Sequence, residues 1–221
     1  MTIKYDIQQV LPKVFSVVIE DQYDRAMTFC RAQEYYESPN PKFRGKHFSM
    51  WDYMKWYSEQ RGAFTYPKDW SGFNIPLEKL YKLYGFGDDD SYETPYDYEM
   101  TDIMWTIYEM NGYSPKGYVI GSKDRLGSTF EHELCHGLFA TNRAYKKKAL
   151  ELVGKIKKKH YNLMKTNLLK MGYTEKVIDD EIQAYLMFGY NTPGFSDKLE
   201  ITDLRLYHLM FDKELNNKFL R

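Results

Sequence analysis

Residues 130–139, FEHELCHGLF, hold two histidines four positions apart, with a glutamate directly after the first. On an α-helix, positions i and i+4 lie on one face, with their Cβ atoms about 5–6 Å apart. His132 and His136 can therefore offer two imidazole nitrogens to one metal ion, at about 2.0–2.1 Å from each. Glu133 is turned about 100° from His132, so it flanks the site, where its carboxylate can accept a proton from a metal-activated water. The spacing predicts a metal site with its own general base.

These residues resemble the zincin metallopeptidases, whose active-site helix carries the pattern His-Glu-x-x-His. The resemblance implies that His132 and His136 bind Zn²⁺ and that Glu133 is the general base for hydrolysis of a peptide or protein substrate. It also implies an edge strand upstream of the helix that lines the substrate cleft. Residues 117–122, GYVIGS, occupy the position in the chain where that strand is expected.

The source of the third ligand separates subclasses of this family. The metzincin pattern is excluded, because Phe139 and Asn142 occupy the positions of its glycine and third histidine. The gluzincin type takes its third ligand from a glutamate on a later helix, and residues 179–189, DDEIQAYLMFG, are similar to that second motif. The resemblance therefore implies Glu181 as the third metal ligand.

Three other side chains compete with Glu181 for this role. Asp179 and Asp180 directly precede it, and His208 follows on a later predicted helix. Zinc accepts imidazole and carboxylate ligands alike, so the chemistry of the side chains leaves the choice open. Either aspartate could instead hydrogen-bond to a metal-binding histidine and fix its tautomer.

Peptide hydrolysis also needs a hydrogen-bond donor for the oxyanion that develops on the scissile carbonyl. Four side chains in the last third of the sequence can donate: Tyr185, Tyr190, Arg205 and His208. With 21 tyrosines in the chain, each tyrosine is more simply explained by packing. We therefore predict His208 as a catalytic residue beside Glu133.

Residue patterns around these motifs predict an α+β fold that is mostly helical, with a small zincin-like sheet packed on the active-site helix. Ser128 and Glu131 match a capping box, which predicts that the active-site helix starts at Ser128. Thr174 is expected to cap the helix that carries Glu181, and residues 63–96 are expected to form long loops around short elements. The other predicted elements are strands at 13–21 and 117–121 and helices at 21–38, 49–62, 96–112, 143–172 and 200–217.

Length and composition limit the organisation of the chain. Its 221 residues predict one zincin-like domain over 1–221, with a helical, aromatic-rich portion at 1–112 and a metal-site portion at 113–221. Lys plus Arg and Asp plus Glu both number 31, and this balance argues against a nucleic-acid partner. The acidic segment 88–93 lacks the glycine and the distal glutamate of a calcium loop.

Other features bear on location. No apolar run is long enough for a membrane span, and the first residues do not match a signal peptide. Two cysteines provide no disulfide framework. These features predict a cytoplasmic protein without a membrane partner.

Together the patterns predict a zinc metallopeptidase, a hydrolase that cleaves peptide bonds. One alternative is a zincin-like scaffold that acts on another amide or serves as a binding module. A second is an interaction or nucleic-acid-binding protein that uses the basic helix 143–172. We favour a solvated surface for that helix, because acidic segments elsewhere balance its charge.

Overall fold

The structure, a computed structural model, describes residues 3–85 and 94–220. The chain divides into two compact units, Met1–Phe130 and Glu131–Arg221. The acidic segment 88–93 lies outside the described residues, as does the end of the predicted loop region before residue 94. A single zincin-like domain over 1–221 stays a prediction.

The expected fold class is confirmed, because 61% of the structure is helical and a small mixed sheet of four strands accompanies the helices. Among the described helices, none has both the length and the apolar character needed to cross a membrane.

The first unit holds the sheet and its surrounding helices. Its elements in chain order are β1 (Asp6–Leu11), β2 (Val14–Val18), α1 (Gln22–Glu37), α2 (Met50–Arg61), α3 (Tyr66–Asp69), β3 (Phe73–Pro76), α4 (Leu77–Tyr84), α5 (Pro95–Met110) and β4 (Tyr118–Ser122). The predicted strands at 13–21 and 117–121 and the helices at 21–38, 49–62 and 96–112 are confirmed as β2, β4, α1, α2 and α5. The elements β1, β3, α3 and α4 were not predicted individually.

The sheet has the strand order β1-β2-β4-β3. Strand β2 pairs antiparallel with β1 and parallel with β4, and β4 pairs antiparallel with β3. The expectation that residues 117–122 form an edge strand is therefore wrong, because β4 has a partner on each side. Phe73 and Ile75 of β3 are buried in the core. Their burial holds β3 on the side of β4 that would be unpaired if β4 were an edge strand.

The second unit is helical among its described residues. Helix α6 (Gly127–Thr141) begins in the first unit and continues into the second, and the following elements are α7 (Arg143–Val153), α8 (Lys158–Met171), a 3₁₀ turn (Glu175–Val177), α9 (Ile178–Met187), α10 (Ile201–Phe211) and a π-helix (Asp212–Leu220). The predicted helix at 200–217 corresponds to α10 and part of the π-helix.

The single helix predicted at 143–172 is wrong, because the chain breaks between α7 and α8. Gly154 caps the end of α7, and Ile156 turns inward to 7% exposure. The N–H of Lys157 then donates to the hydroxyl of Tyr207 on α10, at 3.2 Å. Apolar periodicity continues through the break, so the sequence pattern did not reveal it.

Two predicted helix starts also differ from the structure. Helix α6 begins at Gly127, so Ser128 lies inside the helix and is not its N-cap. Thr174 precedes the 3₁₀ turn, and its side chain makes no capping hydrogen bond. Helix α9 starts only at Ile178, which places Asp179, Asp180 and Glu181 in its first turn.

Candidate metal centre

Helix α6 positions the two histidines as the i, i+4 spacing predicts. The ring centroids of His132 and His136 are 4.9 Å apart, and their Nε2 atoms approach to 3.2 Å. His136 is almost fully buried, and 13% of the His132 side chain is exposed. The two imidazoles therefore present the same ring nitrogen to one small, shielded space.

Glu181, on α9, meets the same space. Its Oε1 atom lies 3.7 Å from Nε2 of His136, and its Oε2 atom lies 3.8 Å from Nε2 of His132. One ligand atom from each of the three residues falls within 4.8 Å of the others, and the group could hold a metal ion. The structure thus brings together the three residues that the sequence predicted as metal ligands.

The three successive acids at the start of α9 have different partners, because consecutive residues point about 100° apart on a helix. The Asp179 carboxylate accepts a hydrogen bond from the Tyr161 hydroxyl at 2.9 Å. Asp180 Oδ1 lies 2.9 Å from Nδ1 of His136, and only Glu181 faces the Nε2 atoms. This geometry agrees with the alternative in which Asp180 orients a histidine. Asp179 is paired with Tyr161 and takes neither the ligand role nor the orienting role.

The outer nitrogens of both histidines fix which ring nitrogen carries the proton. His132 Nδ1 lies 3.3 Å from the carbonyl oxygen of Phe188, and His136 Nδ1 lies 2.9 Å from the Asp180 carboxylate. Carbonyl and carboxylate oxygens only accept, so each Nδ1 donates its proton outward. In the neutral rings the Nε2 lone pairs therefore point at one another, across 3.2 Å.

This arrangement of electron donors calls for a positive charge between them. Oε2 of Glu181 is buried and has no hydrogen-bond partner in the part of the chain that the structure describes, which is costly for a carboxylate at 4% exposure. Ligand atoms about 2.05 Å from a tetrahedral zinc lie about 3.3 Å apart. The two Nε2 atoms are 3.2 Å apart, each lies 3.7 or 3.8 Å from a different Glu181 oxygen, and one ligand atom per residue falls within 4.8 Å of the others. Two imidazoles and one carboxylate also form a donor set that zinc accepts. The residues fit the metal.

The charged groups around His136 also favour a positive charge at this site. Burial lowers the pKa of His136, but the nearby carboxylates of Asp180, Glu181 and Glu133 raise it by more, to well above its usual range. These carboxylates stabilise a positive charge on or beside the ring. A divalent cation at Nε2 would receive the same stabilisation.

Glu133 lies at the site without joining the three clustered ligands. Its side chain is buried at 7% exposure. Its charge acts on His136 and on the hydroxyl groups of Tyr173 and Tyr185. Its role as the general base stays a prediction.

A pair of tyrosines lies beside Glu133 and Glu181. The Tyr185 ring packs edge-on against His132, with centroids 4.7 Å apart, and its hydroxyl lies 3.2 Å from that of Tyr173. Burial, together with the Glu181 and Glu133 charges, raises the pKa of Tyr185 to about 12. One hydroxyl donates to the other, which leaves the pair a second proton to donate elsewhere.

The structure places His208 in a different environment from the three ligands. Its Nδ1 lies 2.9 Å from the carbonyl oxygen of Leu186, and its ring stacks on Tyr190 with centroids 4.7 Å apart. Arg205 is exposed on the same helix. The catalytic role of His208 stays a prediction, and Tyr185 is the donor candidate that contacts a ligand.

Sequence reasoning missed several residues that support the site. The Phe188 contact uses a main-chain carbonyl, which leaves no mark on residue identity. Gln183 is fully buried and donates to Asp180 Oδ1 at 3.0 Å, while Tyr145 donates to Gln183 Oε1 at 2.7 Å. A glutamine among apolar neighbours was the available signal for this contact. Cys135, which lies between the two histidines in sequence, is a buried free cysteine.

Comparisons of the chain with protein-family models, with curated proteins and with solved structures find no match. The likeness to zincins therefore consists of the His132–Glu133–His136 spacing and the later glutamate. The interior position of β4 departs from the edge strand that this likeness implied.

Proposed function

We propose that the protein is a zinc-dependent hydrolase that cleaves peptide bonds, with His132, His136 and Glu181 as the metal ligands. One observation carries the proposal. Two histidine Nε2 atoms and a buried carboxylate oxygen, which has no hydrogen-bond partner among the described residues, converge on one space from two helices, α6 and α9. Three protein ligands also match the number found in catalytic zinc sites, which keep a fourth position open.

The chemistry divides between the metal and the side chains. Zinc bound at these three ligands would supply a Lewis acid that makes water acidic near neutral pH and polarises an amide carbonyl. Glu133 would accept a proton from the attacking water on its carboxylate and pass it to the nitrogen of the leaving amine. The Asp180 carboxylate and the Phe188 carbonyl keep both imidazoles in the tautomer that exposes Nε2.

We assign the oxyanion-stabilising role to Tyr185 ahead of His208. Tyr185 contacts a proposed ligand and shares a hydrogen bond with Tyr173. With its pKa raised to about 12, its hydroxyl keeps its proton near neutral pH and can donate to a negatively charged oxygen.

Replacing Glu133 with glutamine tests the general base. We expect Glu133→Gln to lower kcat for a fluorogenic peptide library by about 10³-fold, since a positioned base contributes typically 10²–10⁴-fold. The zinc content should stay at the wild-type level because Glu133 is not a ligand. Glu131→Gln, two positions earlier on α6, is the matched control and should keep its activity. Equal activity in all three proteins would refute the proposed mechanism.

The binding-module alternative makes the opposite prediction. Lys157, Lys158 and Lys159 are exposed at the start of α8, where a polyanion or an acidic partner could contact them. Reversing their charge should leave peptide cleavage unchanged if the proposal is correct. A protein in which Glu133→Gln is silent and the lysine reversal abolishes partner binding would be an interaction module.

A further inference from the structure

A chain of hydrogen bonds, part-buried at Asp180 and buried between Gln183 and Tyr145, runs from Nδ1 of His136 into α9 and α7. Asp180 Oδ1 accepts from His136 Nδ1 at 2.9 Å and from Gln183 Nε2 at 3.0 Å. Gln183 Oε1 accepts from the Tyr145 hydroxyl at 2.7 Å. The Tyr145 hydroxyl in turn lies close to the thiol of Cys135, the residue next to His136 on α6. The far end of the chain therefore lies near the helix on which it starts.

Each hydrogen bond between Asp180, Gln183 and Tyr145 has only one possible donor and one possible acceptor. Asp180 is a carboxylate and can only accept, so the amide of Gln183 must turn its NH₂ group toward it. The amide oxygen then faces Tyr145, whose hydroxyl must donate. Burial raises the pKa of Tyr145 well above its usual range, so it keeps the proton that it donates.

Because Gln183 and Tyr145 are buried, breaking or reversing one of their hydrogen bonds costs free energy. Gln183, Tyr145 and Cys135 are all 0% exposed, so water does not replace a lost partner. If the Tyr145 hydroxyl is removed, the Gln183 oxygen is left unsatisfied and the amide is free to rotate. A rotated amide would turn its oxygen toward Asp180, and the two acceptors would repel.

We propose that Gln183 and Tyr145 are positioning residues of the metal centre, which hold the Asp180 carboxylate so that His136 presents its Nε2 lone pair to the ion. This inference rests on the proposed function, because it takes His136 to be a metal ligand. It adds two residues, on α7 and α9, whose described hydrogen bonds reach Asp180 and each other, and it assigns them an effect on metal affinity.

The test measures the zinc dissociation constant of the full chain by competition with a chromogenic chelator. We expect Tyr145→Phe to weaken zinc binding about tenfold, within the 10–100-fold range typical when a partner of a metal ligand is lost. Tyr161→Phe is the matched control, because that hydroxyl donates to Asp179, one position before Asp180. The control should change the dissociation constant by less than about twofold.

A second variant covers the case in which Tyr145→Phe does not fold, as judged by circular dichroism. Gln183→Met preserves the length of the side chain and removes both of its hydrogen bonds, and it should also weaken zinc binding about tenfold. If both residues act through one chain, the double variant should bind zinc about as weakly as Gln183→Met alone. Independent effects would multiply, and multiplied effects would refute the coupling.

The outcomes separate this inference from the proposed function. Zinc binding by the wild type with the same affinity in folded Tyr145→Phe or Gln183→Met overturns the positioning role alone. Equal losses in Tyr145→Phe and Tyr161→Phe also overturn it, because the effect would then be one of general stability. No zinc binding by the wild type overturns the metal centre and this inference together.

Discussion

The two compact units bury charged groups in different ways. In the first unit, Arg31 and Asp97 form a buried ion pair at 2.8 Å, and the Tyr84 hydroxyl donates to the same carboxylate at 3.0 Å. In the second unit, Glu181 faces two histidine nitrogens, and one of its oxygens has no hydrogen-bond partner among the described residues. The first arrangement is complete with protein groups alone. For the second, we propose that a cation completes it.

A third buried acid shows why an unsatisfied oxygen by itself does not indicate a metal. Glu34 of the first unit also has a buried oxygen without a hydrogen-bond partner among the described residues. Burial raises its pKa from 4.5 to about 7, and the nearby Ser38, Tyr53 and Tyr66 hydroxyls act in the opposite direction. Its neighbours are hydroxyl groups, so protonation removes the cost of burial. Glu181 differs because two imidazole nitrogens point at it.

Removing one partner of the ion pair should give the largest effect on folding. Asp97→Ala leaves the Arg31 guanidinium buried without its counter-charge, so we expect a loss of about 3–5 kcal/mol in the free energy of unfolding. Urea denaturation measures this loss. Asp102→Ala, at an exposed position on the same helix, is the control. A loss of zinc affinity in Asp97→Ala would contradict the separation between the two kinds of site.

Zinc should stabilise the protein by a comparable amount. A ligand that binds only the folded state at a thousand times its dissociation constant adds about 4 kcal/mol to the free energy of unfolding. We expect zinc to raise the melting temperature and a chelator to reverse the change. The effect should vanish in Glu181→Ala and persist in Asp97→Ala. Equal stabilisation of wild type and Glu181→Ala would show that the ion binds elsewhere.

Glu34 predicts a pH dependence in the first unit. Between pH 4.5 and about 7 the folded state holds a proton on Glu34 that the unfolded state has released. Stability therefore falls as pH rises through this range, by about 3 kcal/mol, since a difference of one in pKa corresponds to about 1.4 kcal/mol. Glu34→Gln, which stays neutral, should gain stability relative to wild type over the same range. Denaturation curves at pH 5 and pH 8 measure the difference, and parallel pH profiles would contradict it.

The smallest expected effect separates the two donor candidates. Tyr185→Phe should lower kcat about 100-fold and leave the zinc content unchanged, because loss of one oxyanion donor costs typically 10²–10³-fold. His208→Gln keeps a donor toward the Leu186 carbonyl and should change kcat little. The reverse result would restore His208 as the catalytic donor predicted from sequence.

Local signals in the sequence predicted the parts of the site that lie on one helix. The i, i+4 spacing of His132 and His136 is a property of the helix itself, so it held in the structure. The choice among Asp179, Asp180 and Glu181 depends on the phase of α9 relative to α6, which tertiary packing sets. The sequence favoured Glu181 through a family likeness and through the apolar residues Ile182, Tyr185 and Leu186, which can pack its helix against the active-site helix.

The fold, like the site, was predicted where local patterns determine it. Strongly patterned helices and the strands β2 and β4 were predicted, whereas the pairing that places β4 inside the sheet depends on contacts distant in sequence. The break at Gly154 was missed because apolar periodicity continues through it, and the hydrogen bond between Lys157 and Tyr207 that accompanies it joins distant residues. Such contacts join residues about 50 positions apart, beyond the reach of any local pattern.

The most direct test of the account is the metal content of the purified protein. Mass spectrometry of the elements should find about one zinc per chain in the wild type and in Glu175→Ala, a variant of an exposed acid paired with Lys165. Glu181→Ala should lose most of its zinc after brief dialysis against a chelator. Retention of zinc in Glu181→Ala, or its absence from the wild type, would contradict the claim that His132, His136 and Glu181 together bind one metal ion.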